Sequence, residues 1–324
     1  MEVIIMLSST RGNRRRYTLR LASIFVAAAA LLLAALCDSG FAAAKRTGQE
    51  LFQSPEEAAN AFFHAVKSKD SKRLLAILGP AGKDLIHSGD SVADREAGDQ
   101  VVRMFEENNK IIKVGDRKAV IEMGSQNWPL PIPVIEEKGK WRFDTISGRN
   151  EILNRRIGKN ELSAIEVCRA YVDAQREYAA QLHEGGGSAY AQKFFSAPGK
   201  RDGLYWETKQ GEPQSPVGIF LANAMHQGYK KSEKPTPYHG YFFRILKAQG
   251  KNAPGGAYDY VVKGKMIGGF SLLAYPAKYG SSGVMSFMVN HEGVVYEKNL
   301  GPATPSVARG MKRFDPDKSW RQVK

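Results

Sequence analysis

Cysteine is the strongest nucleophile available to a chain near neutral pH. This chain has two, Cys37 in an apolar run and Cys168 in the stretch "ELSAIEVCRAYVDAQREYAAQ" at 161–181. A working thiol needs partial exposure and a base or helix N-terminus to lower its pKa. Cys168 has neither in sequence. Ala164, Cys168, Tyr171, Gln175, Tyr178 and Leu182 recur at steps of four and three, with Ile165, Val172 and Ala179 beside them, which is the broad apolar stripe of an amphipathic helix. Cys168 is therefore expected to serve as a small buried hydrophobe. His64 sits at helical spacing near the apolar face of an earlier stretch and could point inward, where a lone histidine is more often a satisfied core residue than a catalyst. Two clusters set cations beside aromatic rings: "GKRDGLYW" with Lys200, Arg201, Asp202, Tyr205 and Trp206, and "PYHGYFFRI" with Tyr238, His239 and Arg244. Such pairs can hold sugars, carboxylates or phosphate groups. Lys200, Arg201, Asp202, Trp206, His239 and Arg244 are thus the candidate ligand contacts. The structural alternative is that Asp202 and the basic residues fix the loop by turn hydrogen bonds while Tyr205 and Trp206 anchor it.

No His-Glu-x-x-His, Cys-x-x-Cys or phosphate-binding glycine loop occurs, and the six histidines are scattered. No catalytic residue, metal or cofactor is assigned on that basis.

These groups follow a distinct leader. A basic stretch "RGNRRRYTLR" runs into an apolar segment of 17 residues, "LASIFVAAAALLLAALC", and then into "SGFAAA". This is the pattern of a secretory signal peptide over 1–44, cleaved after Ala44 or Ala42. An uncleaved N-terminal anchor is the alternative reading. Leu36 is too large for lipoprotein processing before Cys37, and the twin-arginine pattern at Arg14 and Arg15 lacks its apolar pair. Periplasmic or secreted location is expected, with no integral membrane segment after cleavage. Losing five arginines and two acidic residues lowers the net charge from +14 to +11. The remaining positive charge is scattered, which suits a solvated surface better than a nucleic-acid stripe. With Cys168 alone, no internal disulfide can form in the mature chain.

Beyond a linker at 45–50, "SPEEAANAFFHAVKSKD" opens a helix with Ser54 as N-cap, Pro55 at its first position and Glu57 completing a capping box. Ala58, Ala61, Phe62 and Ala65 share one face. A short helix follows from Ser71 to Leu78, and "VVRMFEEN" is helical. "AVIEM", "LPIPVIEE" and "KWRFDT" read as strands, the last two joined by a turn at "KGK". The stretch 51–148 is then one α+β module. Residues 149–160, polar and basic, form a connector: Gly158 is expected to interrupt any helix and Asn160 to cap the next. The second module, 161–324, begins with the Cys168 helix, which stops at "HEGGGS". A long irregular segment leads to four strands in "GYFFRILKAQ", "GGFSLLAYPA", "GVMSFMVN" and "GVVYEKN". An antiparallel meander folding onto the helix is expected.

The order of elements in 51–148, with its "SPEEAANAFFHAVKSKD" opening and "EEKGKWRFDT" ending, resembles the NTF2-like cone-shaped domains. The second module, from "NELSAIEVCRAYVDAQREYA" through "HGYFFRIL" to "AYPAKYGSSGVMSFMVNHEGVVYE", resembles the globular part of type IV pilins and pseudopilins. The residues before Glu161, "EILNRRIGKN", depart from the apolar helical half through which pilins polymerise. The whole mature chain is identified as a member of domain-of-unknown-function family 2950, on "PVIEEKGKWRFDT", "EILNRRIGKNELSAIEVCRAYVDAQREYA", "PGKRDGLYW", "PYHGYFFRILKAQG" and "APGGAYDYVVKGKMIGGF". That resemblance implies an envelope location and no established activity.

"GDSV" at 89–92 is similar to the nucleophile block of one class of lipases and esterases. The required buried strand and downstream Asp-x-x-His pair are missing, since Asp84 and His87 precede Ser91. The expected function is that of an exported, non-catalytic envelope component acting in binding or assembly. Its partner would be an envelope component or polymer, anionic or polysaccharide. The alternative is a periplasmic hydrolase with an unrecognised site.

Overall fold

The computed structural model describes residues 48–323 except 184–188, 209–210, 213 and 218–235. The expected signal peptide, 1–44, and the glycines of the expected helix stop lie outside the described residues. The protein is α+β, with helices and antiparallel sheets. Its first part comprises α1 (Pro55–Lys67), α2 (Ser71–Leu78), α3 (Lys83–Ile86) and α4 (Ser91–Glu107). Strands β1 (Asn109–Lys113), β2 (Lys118–Met123), β3 (Trp128–Pro129), β4 (Val134–Glu137) and β5 (Lys140–Phe143) follow.

Local chemistry sets the start of α1: Ser54 Oγ accepts from Glu57 N at 3.1 Å, and Glu57 Oε2 accepts from Gln53 N at 2.6 Å, the reciprocal arrangement of a capping box. Ala58, Phe62 and Ala65 face inward as expected. His64 does not; it is exposed and lies against Phe63 at 5.4 Å, because the adjacent Phe63 and Ala65 take the inward positions. The strands are ordered β1-β2-β4-β5 with β3 on β2. Lys138 and Gly139 at φ 55° and 77° join β4 to β5, as a two-residue hairpin requires. Phe62 of α1 meets Phe143 of β5 at 5.3 Å and Phe63 stacks on Phe105 of α4 at 4.4 Å between ring centroids, so α1 closes onto both the sheet and α4.

Helix α5 runs unbroken over Thr145–His183. The interruption expected at Gly158 does not occur. A mid-helix glycine disfavours the helix by only about 1 kcal/mol, and side chains on both sides of it are tied down. Leu153 is buried. Arg156 donates to the Asp84 and Leu85 carbonyls, both at 2.7 Å. Asn160 is no N-cap: buried within the helix, it donates through Nδ2 to Ser282 O at 2.9 Å.

The second part continues with β6 (Tyr241–Leu246), β7 (Ala248–Gln249), β8 (Tyr258–Asp259), β9 (Val261–Val262), β10 (Lys265–Met266), β11 (Ser271–Pro276), β12 (Met285–Asn290), β13 (Val295–Asn299), α6 (Thr304–Gly310) and β14 (Arg321–Gln322). The main sheet has the order β14-β13-β12-β11-β6, which contains the expected meander. Its period of two sorts the side chains. Leu272, Ala274, Phe287 and Val289 join Ala164, Cys168, Tyr171 and Val172 of α5 in one core. Leu246, Leu273 and Met288 face the other way, onto Ala308 of α6, Phe314 and Trp320. That second layer was not anticipated, because its covering segment carries apolar residues too sparsely for a periodicity to show.

Candidate functional site

The segment "AQKFFSAPGKRDGLYW" folds back on itself. Ser196 N donates to Tyr205 O and Tyr205 N to Phe194 O, both at 2.8 Å. Asp202 closes the loop: Oδ1 accepts from Ala197 N at 2.9 Å and Oδ2 lies 2.8 Å from Lys193 Nζ. Lys193, and then the Ala197 amide, hold this carboxyl below the usual range. From α5, the Tyr178 hydroxyl donates to Arg201 O at 2.8 Å. The Arg201 guanidinium lies 5.5 Å from the centre of the Trp206 ring and 3.5 Å from Glu212, while Tyr178 meets the indole edge-on at 6.3 Å. Trp206 is only 8 % exposed. The loop is thus a shelf that carries exposed Lys200 and Arg201, the latter paired with Glu212, over a tryptophan that is mainly core.

His239 and Arg244 stand elsewhere. Tyr238 and Tyr241 exchange both backbone bonds, at 2.8 and 3.1 Å, around His239 and Gly240 at φ 47° and 75°. A Cβ at Gly240 would sit 2.5 Å from Asn160 Nδ2 and 2.9 Å from Ser282 Cβ, so glycine is required by space as well as by φ. Gly240 N donates to Asp90 Oδ2 at 2.8 Å. Asp90 Oδ1 caps α4 by accepting from Val92 N and Ala93 N, both at 3.1 Å. Burial lowers the pKa of His239, against the opposing fields of Asp90, Glu96 and Glu166. Arg244 points to the far face of the sheet, opposite Leu273 in register. Its guanidinium donates to Arg309 O at 3.0 Å, Ala308 O at 2.5 Å and Met311 O, satisfying carbonyls at the end of α6. Arg201 and Trp206 are therefore together, His239 lies at a junction, and Arg244 is occupied beyond the sheet.

The junction contains a charged network that the sequence reading missed. Asp84 Oδ1 meets Lys278 Nζ at 2.7 Å and Oδ2 meets Arg149 Nη2 at 2.6 Å. These two bonds hold its carboxyl below the usual range, that from Lys278 being the larger cause. Glu161 Oε1 accepts from Val284 N and Met285 N, both at 2.9 Å. The partners stand up to 194 positions apart, a separation that leaves no local pattern to read. The "GDSV" stretch is part of the same junction: Asp90 is a helix cap, and Ser91 opens α4 on the exposed side. Cys168 is fully buried, and burial pushes its thiol up to about 12. Among the described residues no three His, Cys, Asp or Glu side chains gather as metal ligands. No helix among them is long and apolar enough to cross a membrane.

Residues 49–323 match the family described as Protein of unknown function (DUF2950). The chain belongs to that family. The matched span holds both parts of the fold, the junction and the shelf, so the DUF2950 unit comprises all of these together. No curated protein and no solved structure matches the chain.

Proposed function

We propose that this DUF2950 protein is an exported, non-catalytic component of the cell envelope, periplasmic or secreted, that works by binding or assembly. The observation that carries this reading is the shelf: Lys200 and Arg201 project from a loop already fixed by Asp202 and Tyr178, so an anionic polymer or acidic polysaccharide could be held without ordering the loop first. Recognition would run through charge and hydrogen bonds, since the face of Trp206 is taken by Arg201. In the same reading the first part is NTF2-like, its helices closed on a curved sheet. The second is pilin-like, a long helix on a meander, and its α5 is bound to Asp84 and Leu85 before residue 160, which leaves no free apolar half for filament assembly.

The test is retention on isolated envelope polysaccharide. Lys200→Ala with Arg201→Ala should release the protein at lower salt than wild type while its thermal midpoint stays unchanged. Equal retention of the double variant refutes the assignment. Trp206→Ala is the wrong probe, because emptying a buried indole costs about 3 kcal/mol or more.

The hydrolase alternative has one observation in its favour, the half-buried position of His239 next to Gly240, whose amide is held by Asp90. An ester and amide substrate screen tests it. Turnover abolished by His239→Asn, which tolerates the same φ, would replace the binding reading.

A further inference from the structure

Strands β9 and β10 pair as Val261↔Met266 and Val262↔Lys265, and Ile267 N donates to Tyr260 O at 2.9 Å. The connection is Lys263–Gly264 at φ 49° and 78°, a type I′ turn. Alternation along these pairs puts Val261 and Met266 on one face and Val262, Lys265 and Ile267 on the other. The inner face is anchored: Met266 is fully buried and its carbonyl accepts from Tyr190 N at 2.7 Å. The tip is braced too, as Gln192 Nε2 donates to Gly264 O at 2.7 Å and Lys247 Nζ to Gln192 Oε1 at 3.0 Å. The outer face pairs two exposed apolar side chains with two cations. Val262 and Ile267 are 46 % and 50 % exposed and are interleaved with Lys263 and Lys265. Among the described residues neither lysine has an acidic partner, and Asp259 at the base of the hairpin is taken by Arg313 at 3.6 Å.

We propose that this hairpin is a docking tip for an anionic lipid surface. The two ammonium groups meet headgroup phosphates, and the two β-branched side chains enter the boundary of the acyl layer. A polysaccharide offers no apolar layer for Val262 and Ile267, and the tip offers a sugar no aromatic face. A second copy would set the same lysines against each other in a protein that is net positive with or without residues 1–44. The hairpin touches the shelf segment only through Gln192 and Tyr190 among the contacts above, and it uses different lysines from the shelf, so this inference and the polymer-binding reading are tested on different residues and fail independently.

The test places a polarity-sensitive dye at the tip through Val262→Cys, in the full chain carrying Cys37→Ser. Cys168 stays unlabelled because it is buried with a raised thiol pKa. Vesicles are phosphatidylcholine alone or mixed with phosphatidylglycerol. A blue shift is expected on the mixed vesicles and none on the neutral ones. Lys263→Asn with Lys265→Gln should raise the phosphatidylglycerol-vesicle concentration needed for the half-maximal dye shift by at least roughly tenfold. That pair keeps the fold, since Asn-Gly is the preferred type I′ turn. The dye reports the tip alone, so vesicle binding through the apolar stretch at 21–37 does not produce the shift. An emission that stays water-like on phosphatidylglycerol vesicles, or a shift that survives removal of both lysines, overturns the proposal.

Discussion

Asp90→Ala isolates the contact that joins α4 to the turn before β6. The carboxylate is 1 % exposed and does two things: Oδ1 caps α4 at Val92 and Ala93, and Oδ2 accepts from Gly240 N at 2.8 Å. Losing the cap costs about 1 kcal/mol. The Gly240 amide, left buried without an acceptor, adds about 2 kcal/mol. The expected loss is therefore about 3 kcal/mol, equivalent to a fall of about 1 M in the urea midpoint for a slope near 3 kcal/mol/M. Asp90→Asn separates the two effects. It keeps an acceptor for the cap but turns an amide NH2 toward Gly240 N–H, so it should lose most of the 2 kcal/mol and little of the rest. Urea unfolding followed by tryptophan fluorescence and circular dichroism measures both variants. A loss below about 1 kcal/mol for Asp90→Ala, or an Asn variant as stable as wild type, would refute the reasoning.

Cys168→Ala should cost about 1 kcal/mol as a small cavity opens in the α5 core, and the native thiol should resist labelling at pH 8; rapid modification of the folded protein would contradict its burial. Arg244→Ala should lose about 2 kcal/mol, since three carbonyls around the end of α6 lose their donor, without altering polysaccharide retention; a selective loss of retention would return Arg244 to the binding site. His239 and His291 both have pKa values lowered, chiefly by burial. The unfolded chain then takes up their protons first, so stability is present above about pH 6.5 and falls as the pH drops below it. Thermal midpoints measured from pH 7.5 to 5.5 should decline, and His239→Asn with His291→Gln should flatten the slope; an unchanged slope in the double variant removes the histidines from the account.

Much of the architecture is written locally. The capping box at Ser54 and Glu57, the stripe through Ala164, Cys168 and Tyr171, and the alternation in β6, β11, β12 and β13 each depend on residues within a turn or two of one another. Helical and strand periodicities are properties of single segments, so they survive in the bare sequence, and with them the α+β class and the burial of Cys168. The shelf was legible in part for the same reason: Lys200, Arg201, Asp202 and Trp206 lie within seven positions. The rest depended on which segments meet. Gly158 carries a helix through because Arg156 and Asn160 find carbonyls on segments far away in sequence. His64 faces out because its neighbours filled the inward sites, and Arg244 left the candidate site because strand register turned it to the far face of the sheet. A hydrogen-bond acceptor 122 positions from its donor leaves no periodic trace, and only the closed fold decides which polar side chains hold it together and which remain at the surface to bind.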